Sequence, residues 1–64
     1  MYQKLRSEIF QREKTIASVA RDTGIRVTTL YDKMKGRTDF KMGEARAIKK
    51  AIGTDLSIEE LFER

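Results

Sequence analysis

Between Arg26 and Lys41 the chain gathers a guanidinium, two threonine hydroxyls, a phenol, a carboxylate and four further cations: Arg26, Thr28, Thr29, Tyr31, Asp32, Lys33, Lys35, Arg37 and Lys41. These groups suit recognition better than bond breaking. A guanidinium offers a rigid fork of donors to a paired acceptor edge, hydroxyls donate or accept, and ammonium groups neutralise anions. The 64 residues include no histidine and no cysteine. The usual acid–base group near neutral pH, the thiolate nucleophile and the commonest zinc ligands are therefore missing. No enzymatic activity, metal or cofactor is expected. The formal net charge of +4 is unevenly spread. Residues 1–25 carry five basic and three acidic side chains, residues 26–50 eight and three, and residues 51–64 one and four. A basic middle of this kind suits a polyanionic partner.

Five short helices are expected to position these groups. Tyr2, Leu5 and Ile9 form one helical stripe from Tyr2 to about Arg12, with Phe10 beside it. Thr15 suits the N-cap of a second helix, because its hydroxyl can accept an unpaired backbone N–H. Ile16, Val19, Ala20 and Thr23 follow at helical spacing, and Gly24 lies where a left-handed residue ends a helix. Val27, Leu30 and Met34 then make a third stripe, ending at Gly36 and expected in the core. Residues of about 15–36 thus read as two short helices joined at a glycine corner. Ala45, Ile48 and Ile52 mark a fourth helix, ended by Gly53, with Lys49 and Lys50 on a solvated face. Ser57 and Glu60 form a capping box for a short fifth. The fold class is all-α, one domain over residues 1–64.

The stretch "TIASVARDTGIRVTTLYDKMKGRTDF" resembles the helix-turn-helix of the phage Cro and repressor family, also called lambda-repressor-like or XRE-type. Ala20, Gly24, Leu30 and Gly36 match its spacing. "EARAIKKAIGTDLSIEELF" is similar to the fourth and fifth helices of small regulators in that family. The chain departs from the pattern at four places. Ile16 stands where a phosphate-contacting Gln is frequent, Arg26 where Ser or Thr caps the recognition helix, and Thr23 where an apolar residue precedes the corner. Met34 fills the late apolar position in place of Lys33. The resemblance implies a compact lambda-repressor-like domain. It also implies a sequence-specific regulator of phage or prophage origin that binds a pseudo-palindromic operator in double-stranded DNA as a homodimer and represses by occlusion.

With the Val27–Leu30–Met34 stripe turned inward, Thr28, Asp32 and Thr29 point most nearly outward, with Lys35 beside them. With Arg26 at the helix start, they are the candidates for reading bases in a major groove about 12 Å wide. Arg26 can take guanine O6 and N7 or a phosphate. Asp32 can accept from cytosine or orient Arg26 or Lys35. Thr28 is a possible substitute cap. Phosphate candidates are Thr15, Tyr31, Lys33, Lys35, Arg37 and Lys41; the Tyr31 ring can equally pack. The acidic C-terminus holds Leu56, Ile58, Leu61 and Phe62, more apolar surface than a short helix buries; some of these should be core, and a remaining patch containing Leu61 or Phe62 is the candidate two-fold interface. A protein-binding antirepressor or inhibitor module is the alternative function. Met1 at the start and the lack of a linker after Phe62 favour a free-standing domain over the head of a longer repressor. With no apolar run near the roughly 18 residues of a membrane span and no signal pattern, a cytoplasmic location is expected.

Overall fold

Local capping decides where the helices begin and end. The computed structural model describes residues 2–63; Met1, on which the expectation of a free-standing domain partly rests, lies outside them. Among the described residues there are five helices and no strand: α1 (Gln3–Gln11), α2 (Ile16–Thr23), α3 (Val27–Met34), α4 (Met42–Ile52) and α5 (Ile58–Leu61). α1 ends where the Lys14 N–H donates to the Ile9 carbonyl and the Glu13 N–H to that of Phe10, both at 3.0 Å. Glu13 itself takes a left-handed φ of 57°. α2 opens on Thr15, whose hydroxyl accepts from the Ser18 N–H while the Ser18 hydroxyl accepts from the Thr15 N–H, each at 3.0 Å. α5 opens on Ser57 with the reciprocal Glu60 bonds that the capping-box spacing predicts.

The corner is built as expected, with one addition. Gly24 has φ 76°, a left-handed conformation that L side chains adopt only at a cost. Thr23, the residue before the corner, hydrogen-bonds there. Its hydroxyl donates to the Val19 carbonyl at 2.8 Å and accepts from the Ile25 N–H at 3.4 Å. The side chain thus satisfies groups at the end of α2 and ties down the first residue beyond the bend. A Cβ added at Gly24 would meet nothing within 4 Å. Gly24→Ala is therefore expected to destabilise through the backbone alone, by about 1–2 kcal/mol. Thermal unfolding followed by circular dichroism should show the midpoint falling by roughly 5–15 °C, and Gly24→Asn should lose less, since asparagine tolerates that conformation best after glycine.

α2 lies at the centre, packed mainly on α3 and α4, while α5 closes against α1 and α4. Leu5, Val19, Leu30, Ile48 and Leu61 are fully buried. Burial of Leu61 corrects one expectation: this residue is core, and no interface with a second copy can use it. Its neighbour Phe62 is half-buried, edge-on to Phe40 at a centroid distance of 4.8 Å and to Tyr2 at 6.2 Å. That aromatic cluster binds the C-terminal helix to the start of α1. A second tie joins α1 to the loop after α4, where the buried Thr54 hydroxyl donates to the Glu8 carboxylate and accepts from the Leu56 N–H. Apolar excess at the C-terminus is thus spent largely inside the chain.

Candidate nucleic-acid interface

The inward face of α3 is not the one that apolar spacing suggests. Leu30, Lys33 and Met34 are buried, whereas Val27 is 40% exposed. The expectation that Val27 belongs to the core and Lys33 meets a phosphate is corrected on both counts. Lys33 is only 7% exposed, with its ammonium donating to the Asp39 carbonyl at 3.0 Å and lying 3.1 Å from the Glu44 carboxylate. Burial of an ammonium is costly unless it is paired and hydrogen-bonded, and here both conditions are met. Exchanging Val27 for Lys33 in the inward set turns the buried direction by about 40° at 100° per residue. Thr28, Asp32 and Lys35 then point most nearly outward, with Thr29 and Tyr31 on opposite flanks.

Glu44 holds this arrangement from the first turn of α4. Its carboxylate accepts from the Lys41 backbone N–H at 2.9 Å, completing the start of that helix. That bond holds the Glu44 carboxyl below its ordinary 4.5; partial burial opposes the effect and the Lys33 ammonium adds to it. A carboxylate whose folded value is lowered stabilises the fold fully above its unfolded value and loses that contribution as pH falls through the folded one. Stability should therefore drop more steeply from about pH 5 to about pH 3 in the wild type than in Glu44→Gln. Thermal midpoints measured across that range are the check.

Of the remaining candidates, Arg26, Thr28 and Thr29 are exposed at the start of α3. Arg26 occupies the N-cap, and no side chain caps the helix, so Thr28 does not act as the substitute cap. Asp32 pairs with Arg37 at 3.5 Å, not with Arg26 or Lys35. The pair sits at the end of α3, where the Arg37 N–H also donates to the Asp32 carbonyl. Lys41 is exposed at the start of α4. Lys49, expected on a solvated face, is half-buried with its ammonium 3.5 Å from the Thr54 carbonyl.

Thr15, Tyr31 and Lys35 are brought together along one open groove of about 590 Å³ between α1, the start of α2 and α3. The same groove is lined by Arg6, Phe10 and Lys14, which sequence reasoning passed over. Lys14 carried a signal, since it immediately precedes the capping Thr15. Arg6 and Phe10 carried none, because only the tertiary fold sets α1 and α3 on either side of one groove. Among the described residues, Arg6, Lys14, Arg26 and Lys35 take part in no ion pair.

The fold and this surface define a small all-helical domain that presents one polar helix face flanked by unpaired cations. Compared with models of protein families, with curated proteins and with solved structures, the chain finds no match in any of the three. No helix among the described residues is long and apolar enough to cross a membrane, and no group of acidic residues there is arranged to hold a metal ion.

Proposed function

We propose that the chain is a sequence-specific double-stranded DNA-binding regulator, a Cro-like repressor of phage or prophage type working in the cytoplasm. α2 and α3 would form its helix-turn-helix in a lambda-repressor-like domain. The observation that carries this is the exposed outer surface of α3. Arg26, Thr28 and Thr29 stand free at its start, and Lys35 lies beside its outward face. Such a set supplies both base-edge partners and phosphate partners on one short helix. The Gly24 corner supports it, since it sets α3 apart from α2 as a separate reading element.

Two copies are part of the proposal. The Cα trace spans 24 Å along its longest axis, less than the roughly 34 Å between successive major-groove entries. Reading both halves of a pseudo-palindromic operator therefore takes a homodimer, at least on DNA. The dimer contact left open by the burial of Leu61 would use the remaining surface of Phe62 with Ile58 and Met42, which line one shallow apolar depression. Repression would follow from occlusion of a promoter.

Selection of bound duplexes from a random pool, followed by affinity measurements across salt, tests this directly. A selected symmetric site is expected, with log K falling linearly against log salt and a slope set by the phosphates contacted. A pool that yields no preferred sequence, with affinity indifferent to salt, would remove the proposal.

A further inference from the structure

The groove between α1 and α3 has a character that DNA contacts do not account for. Its apolar floor is lined by Ile9, Ile16 and Met34, of which Ile9 and Met34 are each only 4% exposed. Phe10, 83% exposed, and Tyr31, 47% exposed, stand as aromatic walls. Around them lie Arg6, Lys14 and Lys35, three cations that no carboxylate of the described chain neutralises. We propose that this groove docks an acidic amphipathic peptide segment of a partner protein. Leucine or phenylalanine side chains of that segment would fill the Ile9–Met34 floor, and its carboxylates would meet the three cations.

Charge and apolar surface together select this occupant. A duplex presents sugar and phosphate, which match the cations but leave the floor and the Phe10 ring uncovered. A small ligand would sit largely in solvent, because the groove is open and small-molecule sites enclose about 70–90% of their ligand. The acidic C-terminus of a second copy has the right sign, but its Leu61 is buried and the part of Phe62 left outside the aromatic cluster is the surface assigned above to the proposed dimer contact. A separate acidic chain with free apolar side chains meets both requirements. Docking there covers Tyr31 and Lys35. If α3 reads DNA as proposed above, on which this consequence rests, peptide and operator compete.

The probe is a synthetic peptide of about 12 residues with Leu and Phe at i, i+3, i+4 and i+7 among glutamates, ~18 Å long as a helix. It is titrated into isotope-labelled protein and followed by NMR. Saturable binding is expected, with shifts at Phe10, Lys14, Tyr31 and Lys35. Replacing the apolar residues by Ser, or the glutamates by Gln, should each weaken binding by about tenfold. Phe10→Ser should do the same while leaving the thermal midpoint and DNA affinity in place, since its ring is exposed and lies off the outer face of α3. Equal binding of the charge-only peptide, shifts centred elsewhere, or absence of saturation would overturn the proposal. So would Phe10→Ser weakening DNA binding in parallel, which would make the groove a phosphate track. Simultaneous binding of peptide and operator would overturn the competition. Failure of the protein to bind any duplex would instead remove the DNA-binding function while leaving the peptide titration intact.

Discussion

Lys33→Ala is expected to lower stability by about 2–3 kcal/mol, while DNA affinity measured well below the transition stays unchanged within about twofold. The substitution removes the three methylenes beyond Cβ, which pack in the interior, and the ammonium. It also deprives Glu44 of its cationic partner and removes the Lys33 hydrogen bond to the Asp39 carbonyl. Removing one member of a fully buried pair costs about 3–5 kcal/mol. The lower figure applies here because the Glu44 side chain is 25% exposed and can rehydrate. In a domain of this size, whose total stability is only several kcal/mol, the melting midpoint should fall by at least about 10 °C. Lys33→Met keeps an unbranched stem and discards the charge, so it should cost less, about 1 kcal/mol. Calorimetry paired with a binding isotherm separates this structural role from a phosphate contact. A phosphate ligand would show the reverse pattern, with binding lost and the melting midpoint kept.

On the proposed DNA-binding function, Arg26→Ala is expected to erase preference at one base pair of a selected site, by about 1–3 kcal/mol, without an equal loss on unrelated sequences. The residue stands at the N-cap of α3 with its guanidinium unpaired, so nothing in the chain must be broken for it to reach a base edge. Lys35→Ala should behave differently. It should weaken every sequence alike and reduce the salt slope by about 1. Asp32 adds a third pattern, because it holds Arg37 at 3.5 Å. Asp32→Ala removes a carboxylate from the outward face of α3 and frees a cation in one step. Binding to all duplexes should tighten while discrimination falls. Affinities on a selected site, on single-base variants of it and on random duplex distinguish the three. A uniform loss for Arg26→Ala would reassign that residue to a phosphate.

Helix boundaries were legible because the interactions that make them span three or four residues. Thr15 with Ser18, Ser57 with Glu60, and the left-handed Gly24 and Gly53 are each complete within one turn of chain. The polar exterior of α3 was legible for the same reason, since periodicity alone places Thr28 and Asp32 away from Leu30. Two local features escaped: the bond from the Lys41 N–H to the Glu44 carboxylate at the start of α4, and the end of α1. Glu13 ends α1 in a left-handed conformation with no glycine to announce it.

The sequence by itself therefore determined an all-helical chain, its five helices and the bend that separates α2 from α3. Tertiary packing alone decided which side chains those helices enclose. Lys33 could go inside only because Glu44 and the Asp39 carbonyl, supplied by a later helix and loop, offset the desolvation of its charge. Val27 was left outside by the same rotation of α3. Leu61 became core, and Phe10 became the wall of a groove, through contacts between segments far apart in the chain. Hydrogen bonds that cap a helix are settled between neighbours, whereas burial depends on every element packed around a residue.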